Sequence, residues 1–297
     1  MVSSSWDMAL RGARIAVLSA IALVVWVGNT RAAEPYLALG DSVAFGYIRD
    51  AGFAYVNAEN FVGYPDYVAA ALSLSENSAA CPGEATTGFI SPTGADNGCR
   101  PFRASYPLHV TYTSTQLAFA TDFLNANPTT RLVTIGIGAN DVLLLQKTCG
   151  TNTDCFRDGL PGQLATIANN VQTILAALRA AGFKGVLMVV TYYSLDYSDP
   201  AHTAVIEQLN QALTGHAAAN GAVVADVFEA FKAAATSSAG GKTCNAGLLN
   251  VDPANQSACD AHPSQSGQKL IARTIESVYG TAMTSTTMTD VRAAAVP

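Results

Sequence analysis

The hydrophobic residues form short continuous runs that alternate with longer stretches in which they recur at helical spacing. Apolar runs bounded by turn residues predict buried strands at 36–39, 131–137, 185–191 and 222–226, with a weaker strand after residue 75. The helical spacing predicts helices at 62–74, 114–124, 162–181, 201–220 and 264–279. Strands that are apolar throughout and alternate with helices indicate a parallel sheet covered on both faces. We therefore predict one α/β domain, a three-layer α/β/α sandwich with a central parallel sheet of about five strands.

Three stretches show neither pattern. Residues 86–113 are irregular and rich in Gly, Pro, Asn and Tyr, and we expect an ordered loop that forms one wall of a site. Residues 236–263 are expected to be mostly loop. Residues 281–297 are small and polar, and we expect a disordered tail.

The first 33 residues have the pattern of a secretory signal peptide. Arg11 and Arg14 precede an apolar run at 15–27, and small residues follow up to Ala32 and Ala33. A run of about 13 residues is shorter than the roughly 20 that a membrane-spanning helix needs, so an uncleaved membrane anchor is the second reading. The sequence thus predicts a signal peptide at 1–33, a domain at 34–280 and secretion, extracellular or periplasmic.

The charge of the chain limits the kinds of partner that we expect it to bind. The formal net charge is −6, and only 13% of the residues are charged. The chain has no basic stripe for nucleic acid and no Lys/Arg cluster for an anionic membrane. We therefore expect no nucleic-acid partner and no stable membrane insertion once the signal peptide is removed.

The six cysteines fall into three pairs that are local in sequence. An even number of cysteines behind a signal peptide indicates disulfides. We predict the pairs Cys81–Cys99, Cys149–Cys155 and Cys244–Cys259. A zinc site is the alternative, but no spacing is Cys-x-x-Cys.

One strand end and one histidine stand out as candidate chemistry. The strand at 36–39 ends at Gly40-Asp41-Ser42, where a glycine turn can hold a serine hydroxyl clear of the backbone, although an ordinary turn has the same pattern. A serine nucleophile needs a base, which is normally histidine. Of the four histidines, His262 lies in a predicted loop just before a helix, beside Asp260 and ahead of Pro263.

Four motifs, in order along the chain, resemble the SGNH superfamily of GDSL-type esterases and lipases. They are Gly40-Asp41-Ser42, Gly83, Gly138-Ala139-Asn140-Asp141 and His262-Pro263. The resemblance covers residues 36–279 and implies a flavodoxin-like sheet. It also implies a Ser-His mechanism that needs neither metal nor cofactor.

The same resemblance implies a role for each motif residue. Ser42 is the expected nucleophile, and His262 is the expected general base and acid. The backbone N–H groups of Ser42 and Gly83 and the side-chain amide of Asn140 are the expected oxyanion hole. Asp141 is expected to brace its turn rather than to react.

The chain departs from the family pattern beside the histidine. The family has an aspartate three residues before it, where this chain has Cys259; Asp260 is only two residues away. Three readings stay open. Asp260 orients His262 from an altered turn, the main-chain carbonyl of Cys259 does so, or Asp260 only faces solvent.

The sequence therefore predicts a secreted serine hydrolase that cleaves carboxylic esters. The alternatives are an acyltransferase with the same acyl-enzyme and a non-catalytic extracellular glycan-binding domain on the same scaffold. The substrate class is left open between lipid, acylated glycan and small ester. Aromatic residues that could line an acyl pocket are Phe45, Tyr47, Phe89, Phe102, Tyr106, Tyr192 and Tyr193.

Overall fold

The computed structural model describes residues 32–294, with side chains up to residue 284. The predicted signal peptide lies outside the described residues, apart from Ala32 and Ala33. The chain divides into a unit Met1–Ala32 and a compact unit Ala33–Pro297. None of the helices within residues 32–294 combines the length and the hydropathy needed to span a membrane.

A five-stranded parallel sheet forms the centre of the compact unit. Its strands are β1 (Pro35–Gly40), β2 (Ser75–Ser78), β3 (Leu132–Gly136), β4 (Val186–Val190) and β5 (Ala222–Ala225). Their order is β2-β1-β3-β4-β5, and every neighbouring pair is parallel. The predicted three-layer α/β/α architecture with a flavodoxin-like sheet is thus confirmed.

Ten helices surround or follow the strands in the described part of the chain. They are α1 (Ser42–Phe45), α2 (Tyr64–Leu72), α3 (Thr86–Ile90), α4 (Cys99–Ser105), α5 (Gln116–Ala126), α6 (Ala139–Cys149), α7 (Thr153–Ala180), α8 (Pro200–Thr214), α9 (Val227–Ala239) and α10 (Gln265–Ala294). Short 3₁₀ helices lie at Gly52–Val56, Ala58–Asn60 and Ala218–Asn220.

The period-two alternation of each strand divides the core between the two faces of the sheet. Tyr36 and Ala38 face one cluster, to which α2, α9 and α10 contribute apolar side chains. Leu37 and Leu39 face the other, to which α5, α7 and α8 contribute. Both faces are therefore covered, which explains why the central strands are apolar throughout.

Two stretches expected to be loop contain regular structure. Residues 86–113 include α3 and α4, and the disulfide Cys81–Cys99 ties this segment to the end of β2. Residues 236–263 include an antiparallel hairpin of β6 (Leu249–Asp252) and β7 (Asn255–Pro263). Most residues of this hairpin are at least partly exposed, so it lacks the apolar alternation that marks a strand.

Two helices extend beyond their predicted bounds. Helix α7 begins at Thr153 and contains Pro161, which resembles a helix breaker in the sequence. Helix α10 continues to Ala294, so the described part of the predicted disordered tail, residues 281–294, is helical. No proline interrupts the sequence between Gln265 and Ala294.

The structure joins the six cysteines in the three pairs predicted from their spacing. These are Cys81–Cys99, Cys149–Cys155 and Cys244–Cys259. Among the described residues, the one group of potential metal ligands is Cys81, Glu84 and Cys99. Both of its sulfurs belong to a disulfide, so neither is available as a thiolate.

Candidate active site

The turn after β1 is held so tightly that only glycine fits at its first position. Gly40 has φ of 146°, and a Cβ there would lie 2.2 Å from Gly136 O on β3. Gln116, the buried first residue of α5, forms two hydrogen bonds with Gly40. Gly40 N donates to Gln116 Oε1 at 2.6 Å, and Gln116 Nε2 donates to Gly40 O at 3.0 Å. Asp41 then caps α1 by accepting from Val43 N at 2.9 Å. Ser42 is therefore presented from a rigid turn.

His262 is hydrogen-bonded to Ser42 on one side and to Asp260 on the other. Its Nε2 lies 3.0 Å from Ser42 Oγ, and its Nδ1 lies 2.8 Å from Asp260 Oδ2. The predicted loop position of His262 is wrong, because the residue lies near the end of strand β7. Alternate residues of a strand share a face, so Asp260 and His262 point the same way and Cys259 points the other way. Of the three sequence readings, the geometry favours the carboxylate.

Asp260 is buried and remains ionised. Its burial raises the pKa, but the hydrogen bond and charge of His262 and the charge of Arg49 outweigh burial, so the pKa of Asp260 lies below its ordinary value. Within the described part of the chain, no donor is hydrogen-bonded to its Oδ1, and Arg49 Nη2 lies 4.0 Å away.

Gly83 and Asn140 reach the same cavity as Ser42 and His262. Gly83 follows β2 with φ of 85°, and a Cβ there would lie 2.8 Å from Asn97 O. Asn140 is the second residue of α6; its Nδ2 donates to Asp41 Oδ2 at 3.3 Å. All five residues expected in the site thus lie around one cavity at the carboxyl edge of the sheet.

Asp41 links the nucleophile turn to Asn140. Tyr192, which follows β4, donates its hydroxyl to Asp41 Oδ2 at 2.5 Å. Burial raises the pKa of Asp41 to about 6, and the hydrogen bonds from Tyr192 and Val43 limit the rise. Asp41 belongs to the Gly40-Asp41-Ser42 motif, but the sequence predicted no separate role for it.

Asp141 does not face the cavity. Its carboxylate accepts from Thr86 N at 2.9 Å and from Thr86 Oγ1 at 2.6 Å, so it holds the start of α3. Asp141, which was expected to brace its own turn, therefore also holds a second element, helix α3. Burial raises the pKa of Asp141, and the two bonds from Thr86 lower it in part.

The cavity has a volume of about 790 Å³ and one largely apolar wall. Four of the seven aromatic residues expected at a pocket line it, namely Tyr47, Phe102, Tyr192 and Tyr193. Phe45 and Phe89 lie instead in the core, and Tyr106 packs against Phe102. The apolar wall was not predicted; it consists of Val142, Leu143, Phe156, Leu195, Val205, Ile206 and Leu209, from α6, α7, the loop after β4 and α8.

Comparisons with known proteins agree with this architecture. The model of the GDSL-like Lipase/Acylhydrolase family matches residues 38–270. Among solved structures, the chain is similar to the lipase Lip_vut3 from a goat rumen metagenome, with a TM-score of 0.53 and 17% identity over 82% of this chain and 96% of that chain. It is also similar to phospholipase A1 from Streptomyces albidoflavus NA297, with a TM-score of 0.52 and 23% identity over 83% and 99%. A third similar structure is LAE5, an alpha/beta hydrolase enzyme from the metagenome of Lake Arreo, with a TM-score of 0.52 and 18% identity over 84% and 97%. No curated protein matches the sequence at a significant level.

Proposed function

The chain belongs to the GDSL-like lipase/acylhydrolase family, and from that premise we propose that it hydrolyses carboxylic esters through an acyl-enzyme on Ser42. The observation that carries the proposal is the continuous hydrogen-bonded series Ser42 Oγ, His262 Nε2, His262 Nδ1 and Asp260 Oδ2, with distances of 3.0 and 2.8 Å. A serine, a base and a group that orients the base are the three parts that nucleophilic acyl transfer needs.

The reaction follows from these positions. Ser42 Oγ attacks the ester carbonyl carbon while His262 Nε2 takes the hydroxyl proton. The oxygen that becomes negative accepts hydrogen bonds from Ser42 N, Gly83 N and Asn140 Nδ2. The carbon–oxygen bond to the alcohol then breaks, and His262 returns the proton to the departing oxygen. Water, deprotonated by His262, attacks the acyl-enzyme and releases the acid and Ser42.

The test compares Ser42→Ala with Ser237→Ala on p-nitrophenyl esters. Ser237 is an exposed serine on α9 and serves as the matched control. We expect the control to turn over at the wild-type rate and to react with a fluorophosphonate probe, and Ser42→Ala to do neither. Wild-type turnover by a folded Ser42→Ala variant would refute the proposal.

The apolar wall supports an ester with an apolar acyl group as the substrate. Burying each CH₂ against such a wall contributes up to about 0.8 kcal/mol, or nearly fourfold in kcat/KM. We expect kcat/KM to rise from acetyl to butyryl to octanoyl esters. A profile that falls from acetyl onward would contradict this assignment.

We also propose that the protein is exported, with residues 1–33 as a signal peptide that is removed and 34–280 as the hydrolase domain. Three disulfides support an oxidising compartment. Expression of the full chain and N-terminal sequencing of the exported protein test this; a new N-terminus at Ala33 or Glu34 is the expected result.

A further inference from the structure

Asn97, in the turn between α3 and α4, contacts two of the three residues that supply the donors of the proposed oxyanion hole. Its backbone N–H donates to Gly83 O at 2.7 Å, and its Nδ2 donates to Asn140 Oδ1 at 2.9 Å. The disulfide Cys81–Cys99 holds this turn against the end of β2, since Cys81 lies just before Gly83 and Cys99 just after Asn97. Asn97 is therefore fixed relative to both residues.

Lys147, on α6, determines which way the Asn97 amide points. Its Nζ donates to Asn97 Oδ1 at 2.7 Å. An ammonium group only donates, so the oxygen of Asn97 must face it and the NH₂ group is left for Asn140. The oxygen of Asn140 is thereby occupied, and its NH₂ group faces Asp41 Oδ2 at 3.3 Å, a group that only accepts when ionised.

A cation at one end and a carboxylate at the other thus set the direction of two successive amides. Asn140 has two amide hydrogens, one for Asp41 and one for the cavity. If the Asn140 amide turned over, its oxygen would face the position of the developing negative charge and would repel it. Fixed orientation is what makes a donor effective in the transition state.

We propose that Asn97 is a positioning residue of the oxyanion hole, which holds the Asn140 amide with its N–H towards the substrate oxygen, and that Lys147 orients Asn97. The inference rests on the proposed ester hydrolysis, because the oxyanion arises in that reaction. It concerns residues outside the four motifs. Asn97 lies in residues 86–113, which the sequence predicts as an ordered loop forming one wall of a site, without a role for any single residue.

The primary variant is Asn97→Asp, which keeps the size of the side chain, the backbone bond to Gly83 and the contact with Lys147. It removes the NH₂ group that Asn140 Oδ1 accepts from. We expect kcat to fall about 10–100-fold, with KM within about threefold of the wild-type value. This loss of kcat should be no larger than the roughly 10²–10³-fold loss expected for Asn140→Ala. Thr148→Asp, an exposed neighbour of Lys147 on α6, adds the same charge outside the contact and is expected to leave kcat within about twofold.

Two further measurements separate positioning from general damage. In the Asn140→Ala background, Asn97→Asp is expected to cost less than about twofold, because the amide it positions is absent. The side-chain NH₂ resonance of Asn140, assigned as the signal that Asn140→Ala removes, is expected to shift in Asn97→Asp and not in Thr148→Asp.

The results distinguish failure of the positioning role from failure of the proposed ester hydrolysis. An unmoved Asn140 resonance, or full and additive losses in the double variant, would overturn the positioning role. If neither wild type nor Ser42→Ala hydrolysed esters, the proposed function would fail instead, while the amide resonance would still test the contact between Asn97 and Asn140.

Discussion

Asparagine in place of Asp260 keeps the shape of the side chain but changes which atom faces His262. One carboxylate oxygen of Asp260 accepts from His262 Nδ1 at 2.8 Å, and the other lies 4.0 Å from Arg49 Nη2. An amide has a single oxygen for these two donors. If that oxygen turns to the cation, its NH₂ group faces Nδ1, and the imidazole proton moves to Nε2. His262 then points an N–H at Ser42 and cannot take the serine proton.

We therefore expect Asp260→Asn to lower kcat about 10⁴-fold, the loss found when the same exchange gives the wrong histidine tautomer in another serine hydrolase. The assay is steady-state hydrolysis of p-nitrophenyl butyrate, with folding checked by circular dichroism. Asp252→Asn is the control, because Asp252 also pairs with Arg49, at 3.3 Å, but does not contact His262. The control is expected to stay within about threefold.

A second change tests the cause of the loss. Replacing Arg49 by methionine in the Asp260→Asn variant removes the competing donor, so the amide oxygen can return to Nδ1. We expect at least about tenfold recovery of kcat relative to Asp260→Asn alone. If Asp260→Asn alone kept more than about a tenth of the activity, the carboxylate would not orient His262. The main-chain carbonyl of Cys259 would then be the partner.

Three predictions concern stability. Gly40→Ala is expected to lower the free energy of unfolding by about 3 kcal/mol or more in urea titrations, since φ is 146° and the new Cβ would overlap Gly136 O; an unchanged midpoint would contradict it. Replacing Cys81 and Cys99 by alanine opens a cross-link over 18 residues and is expected to cost about 3 kcal/mol, or about 6–12 °C in Tm by calorimetry; a loss under about 1 kcal/mol would be too small. Burial raises the pKa of Asp41 to about 6, so the folded state keeps a proton that the unfolded chain releases near 3.8. The free energy of unfolding of the wild type, relative to Asp41→Asn, should therefore fall by about 3 kcal/mol as pH rises from about 3 to about 7, and a rise would refute the burial argument.

The sheet could be predicted because most of its strands are buried on both faces. Strands β1, β3 and β4 have few or no polar positions, and such runs alternating with helical patterns are typical of a parallel sheet covered on both faces. The β6–β7 hairpin could not, because its side chains are mostly at least partly exposed and its pairing is irregular. Burial requires a recognisable pattern of apolar residues in the sequence, whereas hydrogen-bonded pairing of exposed strands requires none.

The residues of the site also fall into those that the sequence predicts and those that it does not. Ser42, Gly83, Asn140 and His262 belong to motifs and could be named from the sequence. Residues whose role depends on contacts of one side chain with a residue distant in sequence could not be named in this way. Gln116 illustrates this: it holds Gly40 by two hydrogen bonds, yet in the sequence it is one polar residue at the start of a helical pattern.

The spacing of acid and histidine follows from the backbone of β7. Successive residues of a strand rise about 3.3 Å and alternate in direction, so side chains two apart lie on one face about 6.6 Å apart at Cα. That separation lets Asp260 reach His262 Nδ1 and turns Cys259 away, where it is bonded to Cys244. Tyr193 reinforces the arrangement by donating its hydroxyl to Ala261 O at 2.7 Å. A cysteine three residues before the histidine is thus compatible with an Asp-His pair, because on a strand that position faces away from the serine.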